Sequence, residues 1–248
     1  MKGIIRRLLI AGIALFCAAN VPLVRAGAEG SVINWGTPSA ISGDTDVRTD
    51  GSLVAAFNMN GNAVNVNGVP FASWTFPSMA TTTTMGNFTI TESPGHLLAY
   101  STLGSANAPF ANLSSNYQTL LSSAVSSDDN NTISLTINNL ILGQQYEFQW
   151  WLNASRYNGT GSGFRTTASA PLPVTLDDNT SNAIGGVGQT VVGTFTAGDV
   201  FETITFTGVD STQAPTINAF QLRAVPEPSS LALLALATCL ATAARRRR

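Results

Sequence analysis

The nine residues QYEFQWWLN, at positions 145–153, carry the most regular pattern in the sequence. Four apolar side chains occupy every second position: Tyr146, Phe148, Trp150 and Leu152. The positions between them hold a mixed set: Glu147, Gln149, Trp151 and Asn153. Because successive side chains of a strand point to opposite faces, this alternation predicts a β-strand with one face in the core.

The same two-residue period recurs on both sides of this segment, in residues 132–138 and 202–207. Further candidate strands are residues 53–58, 69–74, 87–91, 190–196 and 216–223. A helical stripe runs through FANLSSNYQTLLSS, on Phe110, Leu113, Tyr117, Leu120 and Leu121. Short strands separated by turn residues, with a single helical crossover, predict an all-β fold. We expect residues 27–224 to form one antiparallel β-sandwich or jelly roll with one short helix.

Two resemblances accompany this pattern. Within NNLILGQQYEFQWW, the residues Leu140, Gly143 and Tyr146 resemble the tyrosine corner of sandwich domains, which implies a buried Tyr146 hydroxyl bonded to nearby backbone. The blocks ISGDTDVRTDGSLVAAFN, VNGVPF and IGGVGQTVVGTFTA…NAFQLR are similar to recurring pieces of uncharacterised exported proteins from planctomycete-type bacteria. The second resemblance implies a shared fold and no particular activity.

The N-terminal residues have the layout of a secretory signal peptide. A basic start is followed by an apolar run over residues 8–19 and by the cleavage-site residues Val24 and Ala26. The apolar run is too short for a stable membrane span. We therefore expect residues 1–26 to direct the chain to an export translocon and to be removed by signal peptidase.

The C-terminal residues VPEPSSLALLALATCLATAARRRR, 225–248, join a proline-rich tripeptide, an apolar run and a basic end. As a helix, the apolar residues 231–244 would span about 21 Å, which is marginal for a hydrocarbon core of about 30 Å. The segment resembles the PEP-CTERM sorting signal of Gram-negative bacteria, on Pro226, Glu227, Pro228, Arg245, Arg246, Arg247 and Arg248. The resemblance implies processing by exosortase, a membrane enzyme, and a role beside exopolysaccharide in biofilm. A plain membrane anchor is the alternative.

Composition excludes several classes of site. From Glu29 to Glu227 the chain has 14 acidic residues and four arginines, a net charge of −10 against −2 for the whole sequence. This charge disfavours nucleic acid and anionic lipid as partners. Cys17 and Cys239 lie in the two terminal segments, so the body has no disulfide and no cysteine ligand. His96 is the sole histidine, which excludes a histidine-based zinc site.

Trp151 is the best candidate for a sugar-binding residue. Its indole could stack on a sugar ring, with Gln149 and Asn153 as hydrogen-bonding neighbours on the same face. If a helix or loop covers that face, Trp151 belongs to the core instead. Arg156 and Arg165, which flank YNGTGSG, could bind an acidic sugar, although scarce arginines in an acidic domain more often tie loops to carboxylates or carbonyls.

The densest acidic cluster is GDTDVRTDG, residues 43–51. Asp44, Asp46 and Asp50 offer the hard oxygen ligands that Ca²⁺ prefers. Arg48, however, stands where an EF-hand pattern would place a third ligand. The favoured interpretation is therefore a turn in which Arg48 pairs with an aspartate, and we expect no other cofactor.

These observations favour a non-catalytic exported protein of the cell surface or extracellular matrix, transiently anchored by its C-terminal helix. A carbohydrate-binding module for exopolysaccharide is the alternative. A glycan hydrolase is the third candidate. It needs two acids that flank the scissile bond about 5–10 Å apart, and no such pair is evident in the sequence. The adjacent pairs Asp128/Asp129 and Asp177/Asp178 would point in opposite directions on a strand.

Overall fold

β-Strands make up most of the regular structure. The computed structural model describes residues 31–77, 79–128, 130–157 and 164–226. The strands in these residues are β1 Asn34–Trp35, β2 Ser39–Ala40, β3 Ser52–Met59, β4 Val64–Val66, β5 Val69–Trp74, β6 Thr82–Met85, β7 Phe88–Ser93, β8 Leu98–Tyr100, β9 Ala124–Ser126, β10 Thr132–Asn138, β11 Gln145–Leu152, β12 Thr166–Ala170, β13 Leu172–Leu176, β14 Gln189–Thr196, β15 Phe201–Gly208, β16 Thr216–Ile217 and β17 Ala219–Ala224. The helices are α1 Ser115–Leu121 and two single-turn 3₁₀-helices, Asp44–Asp46 and Phe110–Asn112.

These strands form three sheets. The order across the eight-stranded sheet is β1-β14-β11-β17-β3-β5-β4, and β2 pairs with β14 beside it. The order across the six-stranded sheet is β13-β12-β15-β10-β7-β6, and a small sheet has the order β16-β9-β8. Among the described pairs only β3 and β5 run parallel, with Phe57 opposite Ala72. The architecture is the predicted all-β sandwich.

The two large sheets pack face to face through the apolar residues of the alternating pattern. Trp150 of β11 meets Phe206 of β15 edge to face, with the ring centroids 5.1 Å apart. Phe57 of β3 contacts Phe88 of β7 in the same way at 5.2 Å. Such aromatic pairs contribute about 0.5–1.5 kcal/mol each beyond the burial of their area. The apolar face predicted for residues 145–153 therefore lies in the core between the sheets.

A tyrosine corner closes one end of this core. Tyr146 is buried, and its hydroxyl oxygen accepts a hydrogen bond from the backbone N–H of Ile141 at 3.0 Å. Gly143 has a φ of 80°, a left-handed conformation that glycine adopts without steric cost. The resemblance noted in the sequence is confirmed by this geometry.

Helix α1 and the loops before it cover the second face of the eight-stranded sheet. The predicted helical stripe is split: Phe110 lies in a 3₁₀ turn, and α1 begins after Ser114, whose hydroxyl oxygen accepts from the Tyr117 N–H at 3.1 Å. All five stripe residues are buried nonetheless. They form a second apolar cluster with Phe71, Val66 and Trp151. We call the outward side of β11 and β17 beneath this layer the covered face.

The outward side of the six-stranded sheet has a different character. It carries rows of hydroxyl side chains in register across the strands, such as Thr84, Thr89, Thr136 and Thr203. A second row contains Thr82, Thr91, Ser134, Thr205 and Ser169. These side chains are partly or fully exposed. We call this surface the open face.

No helix of the described residues is long and apolar enough to cross a membrane. The predicted signal peptide, residues 1–26, and the predicted sorting helix, residues 231–244, lie outside the described residues. Within the described residues, one strand prediction is corrected. Residues 216–223 do not form a single strand, because the ladder is interrupted at Asn218, between β16 and β17.

Candidate functional site

Trp151 lies on the covered face with none of its surface exposed. Its indole N–H donates to the Tyr117 hydroxyl oxygen at 2.8 Å, and that hydroxyl donates to the Asp46 carboxylate at 3.2 Å. Its ring meets Phe71 edge to face at 5.6 Å. The structure therefore contradicts the sugar-stacking role, because α1 and the loops occupy the space that a sugar would need.

The Tyr117 hydroxyl is held in its neutral form by these surroundings. Burial raises the pKa of Tyr117 well above its usual value, and the negative charge of Asp46 adds to this shift. A protonated hydroxyl can donate to the carboxylate while it accepts from Trp151. The chain of three side chains thus connects β11, α1 and the 3₁₀ turn at Asp44–Asp46.

Gln149 is also buried, at 2% exposure, and serves the loop that covers it. Its side-chain N–H donates to the Asp46 carbonyl at 2.7 Å, and its carbonyl oxygen accepts from the Arg48 N–H at 3.0 Å. Gln221 of β17 donates to the same Gln149 oxygen at 2.7 Å. The predicted ligand-binding amide is thus a structural one.

Asn153 is fully buried beside a second amide that the sequence analysis missed. Its side-chain oxygen Oδ1 accepts from the Gly188 N–H at 3.0 Å, and its backbone N–H donates to the side-chain oxygen Oδ1 of Asn218 at 2.7 Å. The Asn218 side-chain nitrogen donates to the carbonyls of Leu121, Ser123 and Asn153. This network takes up the hydrogen-bonding groups that Asn153 was predicted to offer a ligand. The only sequence signal for Asn218 was an asparagine within a predicted strand.

The two candidate arginines do not join Trp151. Arg165 forms an ion pair with Asp177, and both side chains are partly exposed. The Arg156 guanidinium lies over the Tyr157 ring, 4.5 Å from its centroid, and donates to the Thr102 hydroxyl. The loop between the two arginines, residues 158–163, lies outside the described residues.

The three aspartates of the acidic cluster have separate protein partners. The Asp46 carboxylate accepts from the Ser42 N–H at 2.7 Å, and Asp50 pairs with Arg48 at 3.5 Å. Asp44 accepts from the hydroxyl of Ser114, the residue that caps α1, at 2.6 Å. Within the described ranges no group of three His, Cys, Asp or Glu side chains could hold a metal ion. The calcium hypothesis is contradicted, and the alternative, a turn with an Arg48–aspartate pair, is confirmed.

A cavity that the sequence analysis did not identify lies beside α1, with a volume of about 460 Å³. Its lining is entirely polar or glycine: Asn60, Gly61, Asn62, Ser101, Ser115, Gln118, Thr119, Ser122 and Ser123. We call it the α1 cleft. The sequence gives no period or motif for it, because its wall combines three segments that are distant along the chain.

A second cavity, of about 510 Å³, lies beside Glu202 and is lined by residues of β12 and β15 and by Ser31 and Val32. Glu202 is 1% exposed, and its Oε2 atom has no hydrogen-bond partner in the described part of the protein. Burial raises its pKa, and hydrogen bonds from Thr203 and Ser31 oppose that shift in part. The site therefore holds one carboxyl group that releases its proton less readily than an exposed glutamate does.

Comparison with known proteins identifies the C-terminal segment. Residues 224–248 match the model of the PEP-CTERM protein-sorting motif. The match begins at the last residue of β17, and its Glu227–Arg248 part lies outside the described residues. The motif confirms the resemblance seen in the sequence and indicates an exported, exosortase-processed protein.

Other comparisons add little. No curated protein matches this chain. A structure described as "Structural basis for the promiscuous specificity of the carbohydrate-binding modules from the beta-sandwich super family" aligns with 61% of this chain and 71% of its own, at 11% identity and a TM-score of 0.18. At that TM-score the two backbones differ too much for the likeness to indicate a function.

Proposed function

We propose that this chain is a non-catalytic exported protein of the cell surface or extracellular matrix, sorted by an exosortase-type membrane enzyme. The observation that carries the proposal is the sorting motif at residues 224–248. The export translocon and signal peptidase act on residues 1–26, and exopolysaccharide is the matrix partner. The C-terminal helix holds the chain in the membrane until it is processed.

The fold supports removal of the C-terminal segment as a separate step. The Val225 N–H donates to the Gln145 carbonyl at 2.9 Å, and Gln144 donates to the Val225 carbonyl at 2.6 Å. The backbone is thus bonded to the sandwich as far as Val225. Cleavage beyond Pro226 would leave every described strand pair intact.

The proposal that the protein is not an enzyme is supported by the structural contacts that its acidic side chains make. The Asp46 carboxylate serves the backbone of its own loop, and Asp177 pairs with Arg165. Of the two cavities described, the α1 cleft has no acid in its lining and the other has Glu202 alone. A glycosidase needs two. Carbohydrate binding without catalysis is the second candidate function, because the α1 cleft offers it a polar site.

The test compares the full chain, a deletion of residues 227–248, and a full-length variant with alanine at Pro226, Glu227 and Pro228. All three are expressed in a Gram-negative host that has an exosortase, and the cells are fractionated. We expect the full chain at the surface, the deletion released as a folded protein, and the alanine variant retained in the membrane.

The alanine variant separates sorting from simple anchoring, because it keeps the apolar run and the arginines. If it reaches the surface like the parent, the segment is a plain anchor. If the deletion aggregates, the sandwich needs this segment to fold. If the deletion stays with the envelope, another part of the chain determines its location. Each of these results would overturn the proposal.

A further inference from the structure

We propose that the α1 cleft binds an uncharged, hydroxyl-rich glycan. The inference rests on the proposed matrix function and names the chemistry of the partner. It does not involve Trp151, which is buried. The cleft volume of about 460 Å³ falls in the range of about 300–1,000 Å³ that is typical of ligand sites.

The floor of the cleft is fixed by buried hydrogen bonds. Asn58 is fully buried, and its side-chain N–H donates to the Asn62 carbonyl at 2.8 Å. The Asn58 side-chain oxygen Oδ1 accepts from the Ser123 hydroxyl at 3.0 Å. Together these bonds connect the loop after β3, through Asn58, to the segment between α1 and β9.

The loop at Asn60–Asn62 is constrained by its backbone conformation and by close packing. Asn60 has a φ of 56°, and its side chain donates to the Tyr100 carbonyl at 3.2 Å. At Gly61 an added Cβ would stand 2.3 Å from both the Asn58 nitrogen and the Ser123 oxygen. The backbone of this loop therefore forms one wall of a preorganised cleft, which lowers the cost of ordering on binding.

The opposite wall is one side of α1, and free hydrogen-bonding groups line the cleft on α1 and on the segments that face it. The Gln118 side-chain nitrogen donates to the carbonyls of Leu113 and Ala111, which fixes the amide in place. The side chains of Asn62, Ser101 and Ser115 are exposed and make no hydrogen bond to another described residue. Amides and hydroxyls both donate and accept, as sugar hydroxyls do.

Charge selects the class of glycan. None of the nine lining residues is ionisable, although the chain from Glu29 to Glu227 carries a net charge of −10. An acidic polymer would be repelled by the domain and would find no cation in the cleft. An apolar ligand would leave the wall groups without partners, which is costly. A neutral glycan avoids the charge repulsion and also supplies hydrogen-bond partners to the wall groups.

The test uses the full chain in mild detergent and titrates it with neutral gluco-, manno- and galacto-oligosaccharides and with an oligogalacturonate. The cleft variant is Ser115→Glu, which fills the site with a charged side chain at the first turn of α1, where an acid favours the helix. The control is Asn116→Glu, on the same turn but outside the lining. This control also loses the hydrogen bond from Asn116 to the Asn65 carbonyl, so the melting temperatures of both variants are measured.

We expect the parent and Asn116→Glu to bind a neutral oligosaccharide and not the acidic one. Ser115→Glu should weaken that binding at least roughly tenfold, with an unchanged melting temperature. Equal binding by the two variants, preference for the acidic probe, or no binding to the neutral panel would overturn the inference. A chain that sorts correctly but does not bind refutes the inference alone, whereas a chain that binds but is not sorted refutes the proposed function alone.

Discussion

The open face and the covered face arise from the same sequence pattern and have different surroundings. On the open face, Thr136 and Thr203 remain partly exposed. On the covered face, Gln149, Trp151 and Gln221 are at most 2% exposed. A two-residue period therefore specifies which side chains share a face, but not whether that face meets water.

The residue types explain the difference. Threonine hydroxyls on the open face bond to their neighbours across the sheet, as Thr167 does to Thr175 at 2.8 Å, and leave capacity for water. The amides of the covered face are long enough to reach loop backbone, as Gln149 reaches Asp46. A strand face with large side chains that can both pack and donate hydrogen bonds, rather than short hydroxyl side chains, is therefore typical of a face covered by another layer.

The largest expected effect is that of Trp151→Ala on the covered face. The substitution empties a fully buried site and leaves the Tyr117 hydroxyl without its donor. We expect the free energy of unfolding to fall by about 3–5 kcal/mol in a urea titration.

The matched control is Phe201→Ala, an aromatic-to-alanine change on a strand of the open face. Phe201 is partly exposed, so its loss should cost less than about 1 kcal/mol. Equal losses in the two variants would show that α1 does not cover Trp151 in solution.

A smaller effect is expected for Gln149→Ala. It leaves the Asp46 carbonyl and the Arg48 N–H without their partners under the covering loop. Unsatisfied buried groups cost about 1–3 kcal/mol, which urea unfolding would measure. Thr205→Ala on the open face is the control and should change stability by no more than about 0.5 kcal/mol. A neutral Gln149 variant would mean that the covering loop is not held by this amide.

The smallest effect is expected for Glu202→Gln, on the inward side of a strand whose outward side forms the open face. Because burial raises the Glu202 pKa in the folded state, the unfolded chain loses this proton first as pH rises. The parent is therefore destabilised above the unfolded value of about 4.3. The variant should be more stable than the parent at pH 7 by roughly 1 kcal/mol.

Thermal unfolding from pH 4 to pH 8 checks this prediction. The difference between variant and parent should shrink toward pH 4, where most of the unfolded parent also holds the proton. A difference that grows in acid would contradict the assigned direction of the pKa shift.

The strands of six or more residues could be predicted from the sequence, and several shorter strands were missed for physical reasons. Residues 132–138 and 69–74 were predicted with the bounds that β10 and β5 have. Strands β12 and β13 were missed because TTASAPLPVTL is rich in small residues and proline. Proline is tolerated in β13 because it is an edge strand of its sheet. Strand β6 was missed because threonines replace its apolar residues.

The candidate site was less predictable. The alternative that Trp151 belongs to the core was visible in the sequence, but the choice required knowing where α1 packs. The α1 cleft could not be predicted, because Asn60, Ser101 and Ser115 come together only in the folded chain. The sorting segment was the exception, since its recognition depends on linear order and needs no fold.

Strand β17 is the last strand along the described chain, yet it lies between β11 and β3 in the middle of the eight-stranded sheet. Strands β11 and β3 meet only through β17, so the sheet cannot be completed until nearly all of the described chain is present. Pairings between residues so distant in sequence form slowly and late. For a chain that is exported before it folds, completion of the sheet would therefore coincide with the arrival of the sorting segment.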